Sequence, residues 1–138
     1  MYEDWKLQRW DTPMSDAKNL FMESLHDHSG LLEIDLADYS KNVATARYRV
    51  TFHTYPAYRN IEEKYRLELW KRRDELRIDA KSIGWTLKVP DSPWIREFAD
   101  EPILVFFNPG ITHYVIGTQN DVVEVLASEA PGIEAIEA

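Results

Sequence analysis

The chain of 138 residues contains no cysteine and only five glycines. Without cysteine, the protein can form neither disulfides nor thiolate metal sites, and it has no thiol nucleophile. So few glycines leave little material for a backbone loop around a phosphate group, and neither a phosphate-loop motif nor a nucleophile-elbow motif is present. These absences argue against the common nucleotide-binding and acyl-transfer enzymes, and no catalytic residue set can be identified.

Long apolar runs are also missing. The longest uninterrupted one covers residues 103–107, whereas a membrane-spanning helix needs about 20 apolar residues. The first six residues, MYEDWK, lack the basic-then-apolar order of an export signal. We therefore expect a cytoplasmic protein that does not span a membrane.

The net charge of −8 is unevenly distributed along the chain. Residues 1–40 contain nine acids and three bases, residues 41–90 twelve bases and six acids, and residues 91–138 nine acids and one base. Whole-chain acidity argues against general nucleic-acid binding, which requires a basic face. The segregated charge has two interpretations: the segments neutralise one another in the folded protein, or the basic centre docks an anionic partner.

Alternating apolar residues predict most of the strands. Residues 45–54 form the clearest one, ended by Pro56, and we expect it to make an antiparallel hairpin with residues 32–36. Residues 83–89 predict a further strand, and residues 112–117 and 122–127 predict a last hairpin.

Helical spacing predicts two helices and one helical turn. A long helix is expected over residues 60–77, because the apolar residues from Tyr58 onward follow one stripe and Asn60 with Glu63 has the spacing of a capping box. A short N-terminal helix is expected over residues 16–27, with Ser15 as its N-cap. Residues 92–98 predict a short helical turn.

Together these elements predict a single α+β domain over residues 1–127. Its mainly antiparallel sheet would have about five or six strands, with the long helix packed across one face and the short N-terminal helix beside it. Residues 1–14 would form an extended arm, and residues 128–138 an acidic, loosely ordered tail.

Four side chains have a spacing that loosely resembles the metal-binding pattern of cupins: His26, His28, Glu33 and His113. The resemblance implies a β-barrel in which three imidazoles and a carboxylate hold zinc, iron or manganese. The glycines that flank the cupin motif are absent. The other interpretation is that His26 and His28 are exposed at a helix end, where the helix dipole favours their charge. We expect no metal and no cofactor.

A second group of side chains would suit a ligand pocket between helix and sheet. His53 lies beside Arg47 and Arg49 on the wet face of its strand, and His113 lies on a later strand. Arginine can bind a carboxylate or phosphate in bidentate fashion, and histidine can act as an acid or base. In the alternative, these arginines pair with acids on the neighbouring strand.

Trp70 and Leu67 lie off the apolar stripe of the predicted long helix, close to Arg66 and Arg73. Exposed tryptophan beside arginine is typical of protein interfaces. The alternative is that the N-terminal arm covers them.

The sequence therefore favours a non-catalytic protein-binding module with an accessory, regulatory or inhibitory role. An acidic inhibitor or immunity-type protein that occupies a partner's basic groove is one version of it. The alternative hypothesis is a small enzyme or ligand-binding domain that uses the histidine- and arginine-lined pocket.

Overall fold

The computed structural model describes residues 5–78 and 81–137, and most of this part of the chain lies in antiparallel strands. The strands are β1 (Gln8–Arg9), β2 (Leu20–His28), β3 (Leu31–Ser40), β4 (Val43–Phe52), β5 (Ala57–Glu62), β6 (Arg77–Ile78), β7 (Lys81–Ser82), β8 (Thr86–Lys88), β9 (Thr112–Gly117), β10 (Asp121–Ala127) and β11 (Gly132–Ile136). The helices of the described residues are α1 (Leu67–Asp74), α2 (Pro93–Arg96) and α3 (Pro102–Phe107), and a 3-10 turn covers Glu63–Tyr65.

Nine of these strands form two antiparallel sheets that pack face to face. The first sheet has the order β1-β8-β9-β10-β5, the second has the order β11-β4-β3-β2, and β6 pairs only with β7. Ile34 and Val50 of the second sheet share one buried core with Ile116 and Val123 of the first. This is the arrangement of a β-sandwich, in which the inward residues of both sheets interdigitate.

The first sheet also has a second core on its outer face. There, Leu69 and Trp70 of α1 and Trp5 of the N-terminal segment pack against Val115 and Val122. Because both faces of this sheet are covered, β10 is buried from its second residue onward and its sequence is an almost continuous apolar run rather than an alternation.

The predicted α+β class, with one long helix packed across a sheet, is wrong. The structure is mostly antiparallel sheet, and the helices among the described residues are all short. The first part of the predicted helix is β5, which pairs with β10 from Ala57↔Leu126 to Glu62↔Asp121. Tyr58 packs against the core between the sheets, whereas Arg59 binds Glu124. Successive side chains thus point to opposite faces of the sheet, as they do in a strand. The helix begins only at Leu67.

The predicted N-terminal helix over residues 16–27 is also wrong, because Leu20–His28 is strand β2. The β2–β3 pairing contains a bulge between Met22 and Ser24. Met22 and Leu25 consequently lie opposite Leu36 and Ile34 and pack on the same core, although they are three residues apart. The extra residue likewise puts Leu20 and Leu25, two apolar residues of the predicted helix face, on one core although they are five residues apart.

The hairpin predictions are confirmed. β3 pairs with β4, joined by Lys41 and Asn42 with φ of 51° and 65°, and β9 pairs with β10. The strand expected over residues 83–89 is present at Thr86–Lys88. The helical turn expected over residues 92–98 contains α2, whose N-cap Ser92 accepts a hydrogen bond from the Ile95 backbone N–H.

The two ends of the described chain are both paired with sheets. In the segment predicted as an arm, Gln8–Arg9 pairs with β8 and Trp5 and Trp10 are buried; residues 1–4 lie outside the described residues. In the segment predicted as a loosely ordered tail, Gly132–Ile136 forms β11 at the edge of the second sheet, paired with β4. Within the described residues, none of the helices has the length and apolarity to cross a membrane.

Candidate protein-binding surface and buried polar network

Helix α3 presents apolar side chains to solvent. Its sequence is PILVFF, and Ile103, Val105, Phe106 and Phe107 are 73%, 55%, 76% and 70% exposed. Pro102 occupies the first turn, where its missing N–H costs no hydrogen bond. At the other end, Asn108 donates to the Leu104 carbonyl from both its backbone N–H and its side-chain amide, at 3.0 and 2.9 Å. The short helix is therefore capped by local bonds while its apolar side chains remain uncovered.

Exposed acids precede this apolar helix. Glu97, Asp100 and Glu101 lie in the segment between α2 and α3 and are all exposed. Arg96 is the one base among residues 91–138, and its side chain donates to the Asp91 carbonyl at 2.8 Å. We call α3 and these three acids the α3 surface; it combines an apolar centre with a negative border.

The structure exposes one of the two predicted apolar interface residues and buries the other. Leu67 is 59% exposed at the start of α1, whereas Trp70 is buried in the outer core. The ring of Trp70 covers Gly117 so closely that a Cβ built on that glycine would lie 1.7 Å from a ring carbon. Arg73 stacks over the Trp70 ring, with Cζ 4.4 Å from the ring centroid. Of the apolar pair expected at the surface, Leu67 is exposed and Trp70 is not.

Arg66 belongs to a buried polar network centred on Glu124. Glu124 is fully buried on β10, where Arg59 of the neighbouring β5 binds both carboxylate oxygens at 3.0 Å. Nη2 of Arg66 lies 2.7 Å from Glu124 Oε2. His113 Nε2 lies 2.9 Å from Glu124 Oε1, and the other imidazole nitrogen lies 2.7 Å from the Ser92 hydroxyl. The network therefore ties α2 and the segment before α1 to the first sheet.

Two tryptophans cover this network. The rings of Trp5 and Trp94 approach the His113 ring edge-on, each with its centroid at 5.2 Å. Arg59 also stacks on Trp94, with Cζ 4.1 Å from the ring centroid. Water is excluded from His113, which is fully buried.

Burial and the neighbouring charges together determine the protonation of the network. Burial, together with the nearby charges of Arg59 and Arg66, lowers the pKa of His113, although Glu124 opposes this. Burial by itself would raise the pKa of Glu124, but hydrogen bonds from His113 and Arg59 and the charge of Arg66 lower it. At neutral pH the network therefore consists of a neutral imidazole, one carboxylate and two guanidinium groups.

Ser92, His113 and Glu124 have the residue types of a catalytic triad, namely a nucleophile, a base and a carboxylate that orients the base. Two features make this group structural. Ser92 is only 2% exposed, so substrate has no access to its hydroxyl, and the hydroxyl already accepts the Ile95 N–H as the cap of α2. Two guanidinium groups beside His113 also disfavour the imidazolium that acyl transfer would form.

Three of the predicted ligand-pocket residues lie along β4 or just beyond it, but the fourth, His113, lies on the other sheet. Arg47 bonds to Glu23 and Arg49 to Asp35, each through two nitrogens, on the second sheet. His53 is exposed beyond the end of β4, and His113 is buried on the first sheet. The alternative that the arginines pair with acids on neighbouring strands accounts for Arg49 and Asp35, which face each other across β4 and β3.

One cavity does touch α1. Its volume is about 410 Å3, and Arg73, Trp85, Asp16 and Ser82 contribute to its walls. Neither His53 nor His113 lines it, so it is not the histidine-containing pocket that the sequence suggested.

The four possible metal ligands are divided between the two sheets. His26, His28 and Glu33 lie on β2 and β3 of the second sheet, and His113 lies on the first. With side chains placed as they are, no three imidazole or carboxylate groups among residues 5–78 and 81–137 are arranged to hold a metal ion. The four-ligand arrangement that the cupin resemblance implied is therefore not formed.

No family model matches this sequence, and no curated protein or solved structure matches it. The functional argument consequently depends on the geometry of the chain itself. The sequence interpretation missed α3, and the signal was available: residues 103–107 are the longest apolar run and directly follow Pro102, a residue favoured at helix starts.

Proposed function

We propose that the protein is a non-catalytic, cytoplasmic protein-binding module and that the α3 surface is its contact site. The observation that carries the proposal is the exposure of four apolar side chains on one six-residue helix. Phe106 and Phe107 are 76% and 70% exposed, so these two residues together leave roughly 300 Å2 uncovered. Contiguous apolar patches of roughly this size on monomeric proteins are often functional.

The chemistry of the α3 surface favours one kind of partner. An apolar helix face inserts into an apolar groove, as in other helix-in-groove complexes. Glu97, Asp100 and Glu101 would then lie over the rim of that groove, which should carry lysine or arginine. An accessory, regulatory or inhibitory role follows from binding without catalysis, and an acidic inhibitor of a basic active site is one version of it.

The alternative of a small enzyme or ligand-binding domain has less support. His113 lies on the first sheet, apart from Arg47, Arg49 and His53, which lie on β4 or just beyond it. Three of the four residues already contact acids. We therefore do not extend the proposal to a catalytic activity.

Site-specific photo-crosslinking tests the proposal directly. A photoreactive residue at position 106 should capture a defined partner in the source cells, whereas the same residue at position 43 should not. Val43 is a matched control because it is also a well-exposed apolar residue, 63% accessible, but belongs to β4 of the second sheet. Capture from both positions, or from neither, would remove α3 as the contact site.

The double substitution Phe106→Ser with Phe107→Ser should abolish recovery of that partner in a pull-down. The free energy of unfolding should change by less than about 0.5 kcal/mol, because the rings are outside both cores. Leu67→Ser provides the matched comparison for the other predicted surface. Loss of the partner with Leu67→Ser alone would move the site to the start of α1.

A further inference from the structure

The second sheet ends at β11, a strand with one open backbone edge. β11 pairs with β4 without a bulge, and no other strand of the described residues pairs with it. Its sequence, GIEAI, contains neither proline nor lysine, two residues that commonly prevent further pairing at a sheet edge. The backbone N–H and C=O groups on the open side of β11 can therefore bind another extended chain.

The opposite edge of the same sheet, strand β2, is protected. The β2–β3 pairing contains a bulge between Met22 and Ser24, and bulges disrupt pairing at an edge. Asn120, in the turn between β9 and β10, also binds the β2 backbone. Its side-chain oxygen accepts the Met22 N–H at 3.0 Å, and its side-chain amide donates to the Met22 carbonyl at 3.1 Å. Within the second sheet, β11 is thus the edge that is left open.

The side chains of β11 determine which kind of strand fits beside it. Ile133 packs against the core between the sheets, so Ala135, two residues further on, points to the same face. Because Ala135 is small and exposed, a larger apolar side chain opposite it would extend that core. Glu134 points to the outer face and ends the row Asp35–Arg49–Glu134 across β3, β4 and β11. A base opposite Glu134 would continue this alternation of charge.

We propose that the open edge of β11 binds an extended segment of a partner protein in which apolar and basic residues alternate. The segment would add a strand to the second sheet, with its apolar side chains toward the core and a lysine or arginine beside Glu134. A second copy of this chain is a poorer fit, because its own β11 contains Glu134 and no base, and like charges repel across a strand pair. The β11 edge belongs to the second sheet and does not depend on the function proposed for the α3 surface.

Backbone amide NMR spectra of the full chain, recorded with two synthetic peptides, test the proposal. Both peptides have about seven residues and blocked ends; one alternates valine with lysine, and the other alternates valine with glutamate. The lysine peptide should shift the signals of Gly132–Ile136 saturably and leave those of Leu20–His28 in place. The glutamate peptide should bind at least about tenfold more weakly, because it places like charges opposite each other. Equal binding of the two peptides, no binding of either, or the largest shifts outside β11 would overturn the proposal.

Glu134→Lys reverses the charge at the centre of β11 and should reverse the preference between the two peptides. Glu68→Lys is the matched control: it changes the net charge equally at an exposed acid on α1 and should keep the wild-type preference. The same change of preference in both variants would mean that net charge, and not the β11 edge, selects the peptide, and would contradict the proposal.

Two further measurements separate strand pairing from other contacts. A lysine peptide with all its backbone nitrogens methylated cannot donate to a strand ladder, as proline cannot, and it should not bind; undiminished binding would exclude strand addition. Spectra of the chain alone at increasing concentration should leave the β11 signals in place. Shifts confined to β11 in that series would show that a second copy occupies the edge, and would overturn the choice of a basic partner.

Discussion

Glu124 is fully buried on β10, and its carboxylate contacts Arg59, Arg66 and His113. Arg59 is on β5, Arg66 precedes α1 and His113 is on β9, so one carboxylate connects three separate parts of the chain. The sequence contains a signal for this that our interpretation did not use: a single acid within the apolar stretch VVEVLA. A charge in a buried strand requires a partner. The structure, and not the sequence, identifies Arg59 and Arg66 as the bases that supply it. The sequence analysis named His113 as a candidate pocket residue but did not predict that it is buried.

At the residue scale, Glu124→Gln should destabilise the protein strongly. The substitution keeps the side-chain shape but leaves two guanidinium groups without their counter-charge, and Arg66 is almost completely buried. Breaking a buried pair by removing one partner costs about 3–5 kcal/mol. Urea unfolding should therefore show a clearly lower midpoint than wild type, while Glu129→Gln, at an exposed acid, should behave like wild type. Equal midpoints for the two variants would contradict a structural role for Glu124.

At the scale of elements, the sequence predicted strands better than helices. The β3–β4 and β9–β10 hairpins were predictable because each has apolar alternation or an apolar run next to a turn. The helices were mispredicted for identifiable reasons. The bulge in β2 places Met22 and Leu25 on the same core. In β5, Tyr58 and Arg59 point to opposite sides of the sheet, as successive residues of a strand do. Strand register and bulges depend on which strand is the partner, and the spacing of residues along the sequence does not reveal that partner.

The contact between α1 and the first sheet gives a prediction at this scale. In Gly117→Ala, the added methyl group would meet the Trp70 ring at less than van der Waals distance, so α1 must move or the ring must rotate. Overpacking of this kind costs about 1–3 kcal/mol, and more where nothing can shift. Chemical unfolding monitored by tryptophan fluorescence measures the loss.

Gly132→Ala is the control for this contact, because Gly132 is also in a strand and a Cβ there would have no neighbour within 4 Å. It should leave the free energy of unfolding near the wild-type value. If Gly117→Ala were equally harmless, Trp70 would not be packed on β9.

At the scale of the whole molecule, four of the twelve bases in the central segment pair with acids of the two outer segments. Arg47 and Arg49 of the basic central segment pair with Glu23 and Asp35 of the acidic N-terminal segment. Arg59 and Arg66 pair with Glu124 of the acidic C-terminal segment. Mutual neutralisation, one of the two interpretations of the charge pattern, is thus confirmed for these four bases. Exposed acids such as Asp100 and Glu101 remain beside α3.

Because the buried network connects these segments, its protonation should control global stability. The pKa of His113 is lowered in the folded protein, chiefly by burial, so the unfolded chain binds a proton more readily than the folded one. Stability is then fully present above the unfolded histidine pKa of about 6.5 and is lost as pH falls below it. One such proton gives a slope of at most about 1.4 kcal/mol per pH unit. The lowered pKa of Glu124 adds a further loss only at more acidic pH, below its unfolded value of about 4.3.

Urea unfolding between pH 8 and pH 5 measures this dependence. The free energy of unfolding should decrease below about pH 6.5 in wild type, and it should also decrease after His26, His28 and His53 are all replaced by glutamine. That triple variant keeps His113 as its sole histidine, so the remaining slope reports the buried imidazole. A flat profile in the triple variant would mean that His113 accepts a proton in the folded state as readily as in the unfolded chain. The neutral imidazole between Ser92 and Glu124 would then be the wrong description of the network.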